Sequence, residues 1–181
     1  MTEPKLVFTG PPGAGKTTAI AALSDIPPIV TDVRNSDASL AKTHTTVGMD
    51  YGEVKLAGDE RVRLFGTPGQ ERFAFMWRIL ARNAMGLVLL LDNSRADPRA
   101  DLRLYLQAFG ELLRDTPCVI GVGRLDTHPE PSLDALADEL EQLGWVFPLL
   151  AVDVRQREDV LLLVDTALAQ LEARQWQDTQ S

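Results

Sequence analysis

Cysteine is nearly absent. The 181 residues hold one, Cys118, so no intramolecular disulfide can form and a reducing compartment, the cytoplasm, is the expectation. Cys118 stands in an apolar run, where a thiol packs as a small inert hydrophobe. No apolar stretch approaches the ~20 residues of a membrane-spanning helix, and no signal-peptide pattern opens the chain. The second residue is Thr2, where myristoylation needs glycine, and 175–181 lack the cysteine that prenylation needs; no intrinsic membrane anchor is expected. Basic residues are also scarce, 18 against 26 acidic, for a formal net charge of −8. That balance argues against nucleic-acid or acidic-membrane partners, which reward basic patches. Any recognition of phosphate must therefore be local.

Such a local feature is present. Gly10-Pro11-Pro12-Gly13-Ala14-Gly15-Lys16-Thr17-Thr18 follows the strand-like run Lys5–Thr9 and precedes the helix-like run Thr18–Leu23. Strand, glycine-rich turn and helix form the context in which G-x-x-x-x-G-K-[ST] binds phosphate. Gly10, Gly13 and Gly15 let successive backbone N–H groups turn inward on anionic oxygens, and the helix N-terminus adds positive potential. Lys16 is placed for the β- and γ-phosphates and the Thr17 hydroxyl for Mg²⁺. The motif indicates a nucleoside triphosphate without choosing its base or its use.

The rest alternates between strand and helix patterns. Pro27-Pro28 end the first helix, and 29–46, rich in Asp, Ser, Asn and Thr, reads as a long loop around a site. Residues 51–56 and 62–65 alternate as a hairpin. Phe73, Met76, Trp77 and Leu80 mark a helix, and Met85–Leu91 a strand buried on both faces. Leu102, Tyr105, Leu106, Phe109 and Leu113 stripe a helix opened by Asp97-Pro98, and 117–122 is a second buried strand. Ser132 caps a helix burying Leu133, Leu136, Leu140 and Leu143. Residues 146–152 form the last strand, and Leu161, Val164, Leu168 and Leu171 stripe the last helix, which frays after about Glu172. This alternation predicts an α/β fold, a six-stranded, mainly parallel sheet with one antiparallel strand and helices on both faces. One domain over 1–174 and a polar tail over 175–181 follow.

Four further stretches resemble the small GTPases of the Ras superfamily, over nearly the whole chain. Thr46-Val47-Gly48-Met49-Asp50 is similar to the switch I signature of Rab proteins, and Gly66-Thr67-Pro68-Gly69-Gln70-Glu71-Arg72-Phe73 to the switch II signature D-T-A-G-Q-E-R-F. Gly123-Arg124-Leu125-Asp126 stands at the place of N-K-x-D, and Asp153-Val154-Arg155 at that of S-A-K. Thr-Pro-Gly-Gln with a leading Gly looks closest to bacterial Ras-like GTPases, relatives of the gliding-motility polarity GTPase, among them those encoded beside roadblock-type partners and sensor kinases. The resemblance implies a P-loop fold and a GTP/GDP- and Mg²⁺-dependent switch. With no arginine assignable as a built-in finger, its hydrolysis would be slow and stimulated by a protein regulator, roadblock-type partners included, at the switch regions. It implies that Thr17 and Thr46 ligate the metal, that Gly69 N–H meets the γ-phosphate, and that Gln70 orients the attacking water beside Lys16. Ala14 and Thr18 belong to the same nucleotide loop. Asp126 would accept from the guanine edge, Arg124 lie on the base, and Val154 N–H face the guanine carbonyl.

Three departures qualify these roles. Gly66 replaces the Asp that usually holds a metal-bound water, with Asp50 and Asp92 as candidate substitutes. Gly123 replaces the Asn that braces the base pocket, and Asp153 the Ser of the last base motif. No built-in catalytic arginine is assignable from the sequence; Arg34 and Lys42 are candidate cations in the switch I region, and His44 a candidate phosphate contact. Phe73, Phe75, Met76 and Trp77 exceed what one helix face can bury, so part of that cluster is a candidate docking surface. Two alternatives stay open: a P-loop small-molecule or nucleotide kinase, and a nucleotide-bound interaction module that hardly hydrolyses.

Overall fold

The buried strands set the architecture. In the computed structural model, which describes residues 4–34, 46–56, 58 and 60–179 (30–34, 46–47, 175 and 177–179 by backbone alone), all seven residues of the strand β5 (Gly86–Asp92) are buried. It lies between β1 (Lys5–Thr9) and β6 (Cys118–Gly123), parallel to both. Among the described residues one sheet runs β2-β3-β4-β1-β5-β6-β7, with β2 Ile29–Arg34, β3 Thr46–Lys55, β4 Arg61–Gly66 and β7 Leu149–Ala151. Only β3 opposes the others, pairing antiparallel with β2 and β4. The expected α/β class therefore holds, and β2 adds a seventh strand at the edge. That strand lies in a segment whose sequence reads as loop; its pairing with β3, not a local pattern, makes it a strand.

The helices α1 (Lys16–Leu23) and α5 (Arg157–Thr179) cover one face, and α2 (Ala74–Ala81), α3 (Pro98–Phe109) and α4 (Leu133–Gln142) the other. α3 and α4 begin as the sequence predicts. Asp97 accepts from Ala100 N–H with Pro98 in the first turn, and Ser132 accepts from Ala135 N–H. Leu102, Tyr105, Leu106, Phe109 and Leu113 are all buried. On α2, Trp77 and the preceding Phe73 are buried while Phe75 and Ile79 project into solvent.

Three boundaries differ from the sequence reading. The last strand begins only after Pro148, which has no N–H for a ladder, so Val146 is 90% exposed. Leu143 falls past the end of α4 and is exposed. The buried stripe of α5 is Val160, Leu163 and Ala167, one residue off the predicted one, and the helix continues through polar residues to Thr179. No described helix is long and apolar enough to cross a membrane.

Candidate functional site

The phosphate loop joins the carboxyl end of β1 to α1. Gly10 lies so close to Leu90 of β5 that a Cβ would sit 2.1 Å from the Leu90 carbonyl oxygen. Gly13 and Gly15 adopt φ of 81° and 93°, a left-handed geometry that glycine tolerates without strain. Gly15 precedes the first turn of α1, which no side chain caps, so its leading N–H groups and positive dipole end favour an anion. Thr17 and Thr18 follow in that turn, both exposed.

Lys16 is buried and its Nζ donates to the carbonyls of Gly10 at 2.7 Å and Pro11 at 2.8 Å. Burial lowers its ammonium pKa to about 8, opposed by the charge of Asp50 and reinforced by that of Arg95. Gly69 presses on the same loop: a Cβ there would stand 2.7 Å from Pro12 N and 2.9 Å from Lys16 Nζ. Only glycine fits that approach. The segment leading to it is held by three bonds. The Thr67 and Thr9 hydroxyls share a 2.8 Å hydrogen bond, Trp77 Nε1 donates to Pro68 O at 2.6 Å, and the Tyr105 hydroxyl donates to Gly69 O at 3.3 Å. Gln70, next along, is exposed.

A carboxylate from the adjacent strand stands beside Gly66. Asp50 of β3 pairs with Gly66 of β4, and a Cβ on Gly66 would lie 3.0 Å from both Asp50 Cβ and Oδ2. The buried Asp50 accepts from the Thr17 hydroxyl at 2.6 Å. Glycine at 66 is thus the space that lets β3 bring its acid to the loop. Asp92, the other candidate, is committed elsewhere: Oδ1 accepts from Ser94 N–H and Oγ, and Oδ2 from Arg124 at 2.9 Å. Hydroxyl and carboxylate oxygens are the donors Mg²⁺ prefers, usually alongside phosphate oxygens. Among the described residues no cluster of three or more His, Cys, Asp or Glu side chains forms a cage that would replace those phosphates. Thr46 opens β3, but its side chain and that of Arg34 lie outside those described, as do residues Lys42 and His44 altogether.

On the other side of the loop lies a cavity of about 660 Å³, lined by Ala14, Thr18, Arg124, Asp126, Asp153 and Val154 among others. Three loops distant in sequence and the carboxyl end of β5 meet there. Arg124, at φ 64°, turns its guanidinium to Asp92, to Ser94 Oγ at 2.8 Å and to Gly13 O at 3.4 Å, so the N–H edge of that group is tied to the neighbouring loops. The Val154 side chain lies over Gly15, 2.6 Å from where a Cβ would be. Arg155 hydrogen bonds hold the Asp153 carboxyl near 2. At Gly123 a Cβ would make only ordinary contacts; the bracing comes instead from Asn93, whose Nδ2 donates to His128 O at 2.6 Å and Pro131 O at 3.1 Å. Asn93 was not evident in the sequence, although its place just after Asp92 at a strand's carboxyl end is where such residues collect.

Comparison with known proteins agrees with this geometry. Residues 30–146 match the family described as "Conserved hypothetical ATP binding protein", and the chain belongs to that family. GTPase Obg of Crocosphaera subtropica is 30% identical over 165 residues, 84% of this chain and 45% of that protein. Ras-related protein RABE1e of Arabidopsis thaliana is 26% identical over 175 residues, 84% of this chain and 75% of that one. The chain spans about half the length of the first curated relatives it matches. Among solved structures, the G domain of the T. maritima FeoB iron transporter superposes with a TM-score of 0.62 at 18% identity, covering 92% of this chain and 98% of that one. The fold is that of a P-loop G domain.

Proposed function

We propose that this chain is a guanine-nucleotide switch that binds GTP and GDP with Mg²⁺ and hydrolyses GTP slowly, its rate raised by a protein regulator at the switch loops. The observation that carries this reading is Gly69 seated on the phosphate loop against Lys16 Nζ. Contact between the switch II segment and the loop at the γ-phosphate position is how such a fold senses that phosphate. Gln70 follows directly and would orient water; Lys16 and the α1 N–H groups would neutralise charge on the phosphates. Mg²⁺, when bound, supplies further charge neutralisation at the phosphate oxygens. Thr17 would ligate it, Asp50 would hold the Thr17 hydroxyl in place, and Thr46 would complete the site from switch I.

Asp126 at the cavity would accept from the guanine edge, with Arg124 and Val154 shaping the pocket around the base. The likeness of the Gly66–Phe73 segment to bacterial Ras-like GTPases supports reading the chain as a signalling switch of the polarity-GTPase kind, with roadblock-type proteins as regulators in the cytoplasm. Phe75 and Ile79 on α2 give such a partner an apolar foothold beside switch II.

The family description names ATP, and Gly123 lacks the usual Asn, so ATP in the same site is the second reading. Chromatography of nucleotide released from the purified protein separates the two. GDP or GTP is expected; ADP or ATP, together with comparable affinities for GDP and ADP, would overturn the guanine reading. Asp50→Ala is expected to weaken Mg²⁺-dependent nucleotide binding about 10–100-fold, the usual cost of losing a partner that orients a metal ligand. Nucleotide titrations with and without Mg²⁺ read this, and an unchanged Mg²⁺ dependence would remove Asp50 from the site.

A further inference from the structure

Arg95 is in the turn between β5 and α3, a stretch whose sequence reads as amphipathic helix and not as an arginine lid over phosphates. Its guanidinium is gripped on one edge by Asp101, with Nε at 2.6 Å from Oδ2 and NH2 at 3.4 Å from Oδ1. The opposite nitrogen, NH1, reaches across to the phosphate loop and makes only a long contact, 3.5 Å to Pro12 O. Pro12 is the residue against which Gly69 packs, and Tyr105, whose hydroxyl holds Gly69 O, feels the charge of Arg95. So does Lys16, whose ammonium that charge disfavours. A guanidinium that acts on Lys16 and Tyr105 and touches Pro12 stands at the γ-phosphate end of the loop, away from the base cavity. Its fork geometry suits phosphate oxygens, and two of its N–H groups are on the little-used nitrogen.

We infer that Arg95 is a catalytic arginine supplied in cis, held by Asp101 so that NH1 meets the γ-phosphoryl oxygens during hydrolysis. This rests on the nucleotide-hydrolysing reading above. In the step concerned, a water oxygen bonds to the γ-phosphorus as the bond to the β–γ bridging oxygen breaks. The electron pair of that bond leaves with the diphosphate, and the water protons end on inorganic phosphate and solvent. Arg95 stabilises the charge spreading over the transferring group and the bridging oxygen. A regulator of this protein then need bring no arginine of its own. Asp101 is a positioning residue: it acts through Arg95.

The test is single-turnover hydrolysis of Mg²⁺·GTP, and in parallel Mg²⁺·ATP, by wild type, Arg95→Ala, Arg95→Lys and Asp101→Asn. It is paired with binding of GTPγS and of GDP with aluminium fluoride, which mimics the transferring phosphoryl group. Because Arg95 faces the phosphates, the same pattern is expected with whichever nucleotide wild type hydrolyses. Arg95→Ala and Arg95→Lys should slow hydrolysis at least 100-fold, and both should lose aluminium fluoride binding while GTPγS affinity moves less than about threefold. Asp101→Asn, which keeps the arginine, should slow hydrolysis by a smaller factor with the same binding pattern, and serves if the alanine variant folds poorly. Wild-type rates in both Arg95 variants overturn the assignment and leave the switch intact, as does equal loss of GTPγS and aluminium fluoride binding. A wild type that binds neither nucleotide overturns the nucleotide reading and this inference together.

Discussion

Lys16 links the site to pH. Its buried ammonium titrates near 8 in the folded chain against an ordinary 10.5. The unfolded chain therefore holds the extra proton between those values, and the stability of the free protein rises with pH through that window. Below pH 8 the cost of the buried charge is fully present, about 3 kcal/mol at most. A phosphate beside Nζ favours the charged form, so nucleotide binding takes up a proton above pH 8 and triphosphate affinity falls as pH climbs from 8 toward 10. Calorimetry at pH 9 in buffers of different ionisation enthalpy reads that proton, and Lys16→Met should abolish it. At the same scale, Gly66 and Asp50 face each other across the β3–β4 ladder. An Asp added at 66 would stand against Asp50 and should lower thermal stability by about 1–3 kcal/mol through crowding and like charge. Gly66→Asp combined with Asp50→Ser should recover both stability and Mg²⁺-dependent binding; no recovery would mean that the acid must come from β3. The phosphate loop was legible because its residues are consecutive. The Thr17–Asp50 bond was not, because 33 positions separate its partners and only strand register brings them together.

Among elements, α1 depends on a residue far from it in sequence. It has no basic residue in its last turn, and its final carbonyls at Ala22 and Leu23 are capped by Arg157 NH1 at 2.6 Å and 3.1 Å, from the first turn of α5. Arg157→Ala should cost about 1–2 kcal/mol in urea unfolding and leave nucleotide affinity nearly unchanged, because the phosphate loop adjoins the opposite end of α1. α2 is tied in a comparable way. Trp77 stacks on Tyr105 with centroids 4.5 Å apart and donates to Pro68 O, so Trp77→Phe should loosen the switch II segment as well as the core. Helix starts were readable, since Asp97-Pro98 and Ser132 act within one turn of themselves. The face of α5 was misread by one residue, because polar and apolar positions mix along it and the packing of α1 and the sheet selects which are buried. β2 was invisible for a related reason: an edge strand needs only a neighbour's free N–H and C=O groups, which side-chain patterns do not record.

For the whole molecule, the cavity is the product of sheet order. The loops after β1, β5, β6 and β7 meet because those strands are parallel neighbours, and ligands in such sheets sit beyond the carboxyl ends. Binding to this assembled site should stabilise the entire fold. Saturation at 100 times the dissociation constant adds about 2.7 kcal/mol, so guanine nucleotides should raise the melting temperature more than adenine ones at equal concentration. Reversal of that order would favour ATP. By itself, the sequence determined that a triphosphate loop sits between a strand and a helix, that buried parallel strands carry it, and that a second glycine-rich segment follows the hairpin. These follow from local chemistry: backbone freedom at glycine, apolar runs, capping residues. Tertiary structure alone decided that Asp50 rather than Asp92 reaches Thr17, that Asn93 braces the loop beside Gly123, and that Arg95 stands over Pro12. Each of those contacts is made between elements, so its distance is set by strand register and loop path, which no single stretch of residues encodes.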